Sequence, residues 1–327
     1  MQYIDDIYGE HEIDEPIILE LINTSAMQRL KGIDQAWYLE PYFPGSSRSR
    51  FDHSVGVYLL LKKYWAPLEE QISWLIHDVS HGTFSHCLDY VFAEWSQKQQ
   101  NHQDNIFESF IRKTDIPAIL QRYDRDIEYI LDDIHFPLKE TMLPDLCADR
   151  IDYSLRDAYK YKVYTLDQIS SILSHLVVKE GKRVFTDFSS AKAYAELFHH
   201  VNETYYASKE AALMFQTVGD YLKHAWQYGY VDRDDFYTTD KQILDKIASY
   251  IESDEQLAIY WQRMNNLVPY TNDPMDFDFT IFCKSRVVDP LFMDDNEIKK
   301  VSDVDSAWKM IVKNWTVAKE HFFKFAK

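Results

Sequence analysis

The stretch QISWLIHDVSHGTFSHCLDY, residues 71–90, decides how this chain is interpreted. Its apolar first half predicts a buried helix that carries His77 and Asp78 and is interrupted at Gly82. His81 and His86 follow within ten residues of His77. Imidazole is the commonest metal ligand and the usual acid or base near neutral pH. A single histidine on an apolar helix is more often a core residue, so the interpretation depends on the neighbouring motifs.

Two other segments offer ligands for the same ion. His53 starts a predicted helix after the loop PYFPGSSRSRFDHS, residues 41–54, and Asp149 lies in CADRIDYSLRDAYK, residues 147–160. Adjacent helical residues diverge by about 100°, so His77 and Asp78 can share one ion only if other segments complete its coordination. Nitrogen and oxygen donors of this kind suit one divalent transition metal: Fe, Mn, Zn, Ni or Co.

The second of these segments also predicts a ligand-binding wall. Asp149, Tyr153, Arg156 and Asp157 fall at i, i+4, i+7 and i+8, which places them on one face of a helix over residues 146–161. That face is polar yet carries a tyrosine, as the wall of a substrate site does.

The charge balance limits the possible partners. The 327 residues contain 35 Lys and Arg against 53 Asp and Glu, a formal net charge of −18. Such a field repels nucleic acid, so we expect no nucleic-acid partner. It also repels any small anionic substrate, whose site must therefore hold a metal or a tight cluster of Arg and Lys.

Cysteine usage and hydropathy predict a cytoplasmic protein with no membrane partner. Cys87, Cys147 and Cys283 are widely spaced and form no CxxC motif, so neither a disulfide framework nor a thiolate zinc site is expected. No apolar run approaches 18 residues, and the acidic N-terminus does not resemble a signal peptide.

Hydrophobic periodicity and the few glycines and prolines predict a mainly α fold. The stretch SHLVVKEGKRVFTDF, residues 174–188, is the exception and predicts a small β-hairpin. We place one domain at residues 1–228 and a mixed C-terminal accessory or oligomerisation region at residues 229–327. Helices are expected at 16–40 (two, with a turn between them), 53–64, 104–134 (broken at Pro117), 190–228 and 239–266.

Four separated motifs together indicate a family. RFDHSVG (50–56), HDVSHGTFSH (77–86), HQD (102–104) and DRIDYSLRD (149–157) follow in order. They resemble RFxHSxG, HDxGHGPFSH, HEQ and DxxDYxxRD of the HD-domain phosphohydrolase superfamily, in the branch that contains dNTP and dGTP triphosphohydrolases. The resemblance spans about residues 1–225 and implies a helical HD-domain core.

The resemblance implies roles in catalysis for eight residues. Four would be metal ligands: His53, His77, Asp78 and Asp149. His81 would face the scissile phosphate, and His86 would act as general acid on the leaving oxygen. Asp89 and His102 would support His86.

Substrate contacts follow from the same resemblance. Arg50 and Arg150 would bind phosphate, Gln35 would touch the sugar, and Tyr153 and Asp157 would hold the ribose 3′-hydroxyl. Mg²⁺ would accompany the substrate phosphates, and by analogy the chain would form a homo-oligomer.

The chain also departs from the family pattern. On the helix after the β-hairpin, the family has His, Arg and Tyr residues that bind the outer phosphates. In the matching stretch HHVNETYYASKEAALMFQTVGDY, residues 199–221, only Lys209 and Tyr205 or Tyr206 could serve in their place. Within the motifs, Ser80, Thr83 and Gln103 stand where the family has Gly, Pro and Glu.

We expect a metal-dependent phosphohydrolase that acts on a nucleotide, with a dNTP cleaved to deoxynucleoside and triphosphate. One alternative keeps the chemistry but takes a nucleoside mono- or diphosphate or another phosphoester. A second is a non-catalytic nucleotide-binding regulator. A third is a di-iron oxygenase, which needs further metal ligands around His81 and His102.

Overall fold

The computed structural model describes residues 1–92, 101–136, 138, 142–283, 285–295, 297–315 and 319–326. The predicted mainly α fold is confirmed. The helices within these ranges are α1 (Pro16–Ile22), α2 (Ser25–Arg29), α3 (Arg50–Lys63), α4 (Leu68–Leu75), α5 (Asp89–Phe92), α6 (His102–Ile111), α7 (Ile116–Arg122), α8 (Ile127–Leu131), α9 (Ala148–Lys160), α10 (Leu166–Ser174), α11 (Phe188–Val201), α12 (Lys209–Gln227), α13 (Asp240–Ala248), α14 (Glu255–Met264), α15 (Val301–Val304) and α16 (Ser306–Asn314).

Short strands form three small sheets. They are β1 (Gln2–Asp5), β2 (Gly9–Glu12), β3 (Leu176–Lys179), β4 (Lys182–Phe185), β5 (Tyr270–Asn272), β6 (Phe279–Cys283), β7 (Leu291–Asp294), β8 (Glu297–Lys300) and β9 (Lys319–Phe325). The sheet orders are β1-β2, β3-β4-β7-β8 and β5-β9-β6. The predicted β-hairpin is confirmed as β3-β4, and its turn uses positive φ angles at Glu180 and Gly181.

Helix α3 is the central element, because apolar side chains cover both of its sides. Val55, Tyr58 and Leu59 belong to a core shared with α1, α2, α4 and α7. Val57 and Leu60 belong to a second core shared with α9, α11 and β4. A helix that is apolar all round must be buried, so α3 carries its polar residues into the interior.

The region after residue 228 packs onto the preceding chain. Strand β7 pairs in parallel with β4, with Val184 opposite Leu291. Phe236 and Leu257 share a core with Phe84 and Tyr221. The boundary at 228/229 stays a prediction. Among the described helices, none combines the length and the apolar character that a bilayer crossing requires.

Several predicted helix limits differ from the structure. The expected helix at 190–228 is split into α11 and α12 by a π-helical turn, Asn202–Tyr206. The expected helix at 239–266 is split into α13 and α14. Pro117 does not break a helix but occupies the first turn of α7, where a missing backbone N–H costs nothing.

The expectation that His77 and Asp78 lie within a helix is wrong, because α4 ends at Leu75. Side chains donate hydrogen bonds to backbone carbonyls at the end of α4 and in the turn that follows it. The Trp74 carbonyl accepts a hydrogen bond from Nδ1 of His77 at 2.6 Å. Arg29 donates to the carbonyls of Val79 and His81 at 2.7 and 2.6 Å. Beyond Leu75 the backbone forms turns in which the N–H groups of His77, Val79 and His81 each bond the carbonyl three residues earlier.

Candidate active site

A cavity of about 1020 Å³ opens beside the end of α4 and the start of α9. Most of the residues that the sequence singles out line its wall. They are Gln35, Arg50, His77, Asp78, His81, His86, Asp149, Arg150, Tyr153 and Asp157. The cavity is large enough for a nucleotide-sized ligand.

Three donor atoms meet at one side of this cavity. His53, His77 and Asp149 can each offer one ligand atom within 4.8 Å of the others. Nε2 of His53 lies 2.9 Å from Oδ1 of Asp149, and Nε2 of His77 lies 3.8 Å from the same oxygen. Both Nε2 atoms are buried and face carboxylate oxygens without making a well-directed hydrogen bond. Buried polar atoms without partners are costly, and a cation held between them would satisfy both.

The Nδ1 atoms of His53 and His77 explain why their Nε2 atoms converge. Nδ1 of His53 donates to Oδ2 of Asp152 at 2.7 Å, and Nδ1 of His77 donates to the Trp74 carbonyl at 2.6 Å. Each bond leaves Nε2 as the free lone pair that a metal requires. Burial lowers the pKa of His53, but Asp149 and Asp152 outweigh it and raise the pKa to about 9, so a metal that binds Nε2 would displace a proton from this ring.

Asp78 lies at the edge of this group. Its Oδ1 is 3.4 Å from Nε2 of His77, and its Oδ2 accepts a 2.6 Å bond from Arg50. Burial disfavours its charge, yet Arg50 and the neighbouring histidines hold its pKa well below the usual range. Burial and Arg50 lower the pKa of His81 to about 3, so this imidazole is neutral near pH 7.

The structure places Asp89 and His102 differently around His86. Asp89 reaches Nδ1 of His86 at 3.4 Å with one oxygen. Its other oxygen accepts from the backbone N–H of His102 at 3.0 Å, not from the ring. The His102 ring contacts the Tyr237 hydroxyl at 3.1 Å and does not line the cavity. A second metal centre built on His81 and His102 therefore has no geometric support among the described residues.

All but one of the predicted substrate residues line the cavity, and the exception is Lys209. Gln35, Arg150 and Tyr153 line the cavity, and Oε1 of Gln35 is buried without a partner. Asp157 also lines it, where it pairs with Arg48 and accepts from the Tyr206 hydroxyl.

Lys209 is not brought to the cavity. Its side chain is 47% exposed and lies 3.8 Å from Glu210. Arg156, predicted on the same helical face as Asp149, instead turns to Asp5 and Asp152 at 3.0 and 2.8 Å.

Several cavity residues escape sequence reasoning, among them Arg48, Asp104 and Arg286. Arg48 belongs to the Ser/Arg-rich loop before α3, so that loop's composition was a usable signal. Asp104 follows the HQ pair, and burial raises its pKa. Arg286 comes from a segment more than 120 residues beyond α9, and no local pattern marks it.

Four arginines supply the local positive charge that an anionic substrate needs in this acidic chain. Arg48, Arg50, Arg150 and Arg286 all line the cavity of a chain whose net charge is −18. Guanidinium groups are the side chains best suited to bind oxyanions.

The loop that carries His81 and His86 is braced by the C-terminal region. Phe84 and Ser85 adopt left-handed φ angles of 55° and 54°, which cost energy outside glycine. The Asp240 carboxylate accepts from the backbone N–H of Phe84 at 2.7 Å, and the Phe236 carbonyl accepts from Thr83 at 2.8 Å. A Cβ at Gly82 would lie 2.6 Å from that carbonyl oxygen, so the loop needs glycine there.

We expect Asp240 to make stability depend on pH. Burial raises its pKa to about 7, against the effect of the two N–H donors on Asp34 and Phe84. The folded state then holds a proton that the unfolded chain releases near pH 4. This contribution is complete below pH 4 and is lost as the pH rises through 7, by at most ~1.4 kcal/mol per pH unit.

Urea unfolding of wild type and Asp240→Asn at pH 4, 5.5, 7 and 8 measures this effect. Asparagine does not titrate and offers one acceptor fewer. The wild-type advantage should be largest at pH 4 and shrink towards pH 8. A gap that stays constant across this range would contradict the assignment.

No protein-family model matches the chain. It is 32% identical over 312 residues to YdhJ, an uncharacterized protein of Bacillus subtilis, with 95% of this chain and 94% of that protein covered. It is 32% identical over 172 residues to the metal-dependent phosphohydrolase cns2 of Cordyceps militaris. That match covers 53% of this chain and 49% of cns2.

The chain also matches part of a larger protein and all of a solved structure. It is 29% identical over 186 residues to the deoxynucleoside triphosphate triphosphohydrolase SAMHD1 of Gallus gallus, covering 50% of this chain and 30% of that protein. A phosphohydrolase of Bacteroides thetaiotaomicron superposes with a TM-score of 0.67 at 15% identity, covering 100% and 99% of the two chains. The last likeness establishes the fold.

Proposed function

This chain belongs to the HD-domain phosphohydrolase superfamily, in its dNTP triphosphohydrolase-like branch, and from that premise we propose that it cleaves a dNTP to deoxynucleoside and triphosphate. The observation that carries the proposal is the convergence of the buried Nε2 atoms of His53 and His77 with the Asp149 carboxylate, beside a cavity lined by arginines.

His53, His77 and Asp149, with Asp78 at the edge of the group, are proposed to hold one divalent metal. Two imidazoles and carboxylate oxygens suit Fe, Mn, Zn, Ni or Co. When bound, such an ion would supply Lewis-acid polarisation of phosphoryl oxygen or water. Asp152 and the Trp74 carbonyl orient the two imidazoles, which is the support that metal-binding histidines require.

His86 is proposed as the general acid. It lines the cavity, and Asp89 lies 3.4 Å from its Nδ1, so Nε2 is the atom available to donate a proton. Attack of water on the α-phosphorus breaks the bond to the 5′-oxygen, and His86 gives that oxygen its proton. His81, with a pKa of about 3, serves as a neutral hydrogen-bond donor beside the phosphate.

The remaining predicted contacts are proposed for binding. Arg50 is anchored by Ser85 and Asp78 at 2.6 Å each, so its guanidinium is held in place for a phosphate oxygen. Gln35 offers a buried, unpartnered amide oxygen to the sugar. Tyr153 and Asp157 would hold the 3′-hydroxyl. Self-association and a cytoplasmic location stay predictions.

A second substrate class is favoured by one observation. Lys209, the cation expected on α12 for the outer phosphates, does not line the cavity. A nucleoside mono- or diphosphate, or another phosphoester, would need no such residue. The chemistry at the reacting phosphorus would be the same.

A product assay separates these functions. Purified protein is incubated with dNTPs, NTPs and NMPs, each with Mn²⁺, Fe²⁺, Co²⁺, Ni²⁺ or Mg²⁺, and products are resolved by anion exchange. Free triphosphate is the expected product, and orthophosphate would support the second substrate class. Nucleotides that raise the melting temperature without turnover would instead indicate a binding regulator.

His86→Gln tests the acid. Loss of the proton donor should lower kcat by roughly 10²- to 10⁴-fold and leave the metal content unchanged, since His86 is not in the three-donor group. His175→Gln, at a half-exposed histidine outside the cavity, is the control and should retain full activity. Equal rates for both variants would exclude His86 from catalysis.

A further inference from the structure

We propose that Arg286, supplied by the C-terminal region, forms an anion subsite that binds a phosphate of the substrate other than the one being cleaved. The proposal rests on the function proposed above and adds the residue that selects a polyphosphate chain. It assigns a direct substrate contact to a region that the sequence marks only as accessory.

The first observation is that Arg286 is the arginine of the cavity wall without an assigned partner. Arg48 pairs with Asp157, Arg50 with Asp78 and Ser85, and Arg150 donates to the Asp145 carbonyl at 2.9 Å. Within the described part of the chain, no hydrogen bond or ion pair engages the Arg286 guanidinium. A guanidinium on a cavity wall with five free donors is suited to bind an oxyanion.

The second observation is that its backbone is fixed. Asn202, fully buried in the π-helical turn, accepts a hydrogen bond from the N–H of Arg286 at 3.0 Å. The Asn202 side-chain amide also donates to Oγ of Ser285 at 3.2 Å. One asparagine thus clamps two successive residues of the C-terminal segment onto the core. This placement holds the arginine at the cavity without using its side chain.

The third observation concerns charge around Tyr153. Arg286 and Arg150 both act to lower the pKa of this buried hydroxyl, which burial raises. Both guanidinium groups therefore lie near Tyr153, and both line the cavity. Two cations near one buried hydroxyl give this part of the wall a positive field, which favours a bound polyanion. The arrangement replaces the cation that α12 does not provide.

The test compares binding of inorganic tripolyphosphate with binding of dNMPs, by calorimetry, in wild type and Arg286→Gln. Tripolyphosphate affinity should fall roughly 10- to 100-fold, whereas dNMP affinity stays unchanged. KM for the hydrolysed triphosphate should rise by the same factor with little change in kcat. Arg286→Lys keeps the charge and should recover part of the loss. Arg122→Gln, at an exposed arginine outside the cavity, is the matched control.

The outcomes separate this proposal from the proposed function. Loss of tripolyphosphate binding in Arg286→Gln supports the subsite even if no nucleotide is turned over. Triphosphate hydrolysis with unchanged KM in Arg286→Gln overturns the subsite and leaves the function standing. Equal weakening of dNMP and tripolyphosphate, or no tripolyphosphate binding by wild type, also overturns it.

Discussion

Asp149→Asn is expected to abolish hydrolysis, lowering kcat/KM by roughly 10³-fold or more, and to remove the bound metal. Asp149 is the single carboxylate of the three-donor group, and its Oδ1 lies 2.9 Å from Nε2 of His53. An amide keeps the shape but loses the negative charge, so a divalent cation would be held by two imidazoles and by Asp78, whose charge is already offset by Arg50. The side chain is 26% exposed, so the variant should still fold.

Metal content and activity are measured on the same preparation. Elemental analysis should give about one divalent ion per wild-type chain and a small fraction of that in Asp149→Asn. Asp145→Asn is the matched control, because Asp145 lies four residues earlier, half-exposed and paired with Lys300 at 2.9 Å. A full complement of metal in Asp149→Asn, or the same loss in Asp145→Asn, would exclude Asp149 as the anionic ligand.

The convergence of the histidines and Asp149 could be anticipated because short motifs carry most of its geometry. His77 and His53 each lie beside a helix boundary, and apolar neighbours bury the side chain of His53 and leave that of His77 14% exposed. The same reasoning placed Asp78 on a helix and was wrong there. After Leu75 the chain forms tight turns, and Arg29, about 50 residues away, donates to two of their carbonyls, a contact that no local pattern marks.

Periodicity also predicts which way a residue faces but not what it meets. Arg156 was expected on the face of Asp149, and it does lie on α9. A tertiary contact with Asp5, from the N-terminal hairpin, draws its guanidinium away from the cavity. Arg286 and Asp240 could not be identified at all, because their roles depend on where the chain returns after β6 and at the start of α13.

Replacing Gly56 is the second change expected to have a large effect, because this glycine lets α3 and α9 pack closely around a buried ion-pair network. A Cβ at Gly56 would lie 2.0 Å from Nη2 of Arg156 and 2.3 Å from Oδ1 of Asp152. Those atoms belong to a chain of contacts, since Arg156 binds both Asp152 and Asp5. Asp152 in turn accepts from Nδ1 of His53 at 2.7 Å. A single methyl group at Gly56 would therefore disturb the contact between the helices and, through Asp152, the orientation of His53.

Gly56→Ala is expected to destabilise the fold by about 3–5 kcal/mol, the cost of breaking a buried ion pair. Metal affinity should also fall roughly 10- to 100-fold, because His53 loses the carboxylate that orients it. Urea unfolding measures the first effect and metal titration the second.

Gly45→Ala separates a steric effect at Gly56 from a general cost of replacing glycine. A Cβ there meets nothing within 4 Å, and its φ of 89° should cost only about 1–2 kcal/mol of backbone strain. Its metal affinity should match that of wild type, since Gly45 touches none of the network. If Gly56→Ala unfolded at the same urea concentration as Gly45→Ala and bound metal normally, then α3 and α9 would have room to separate. The orientation of His53 would then not depend on their close approach.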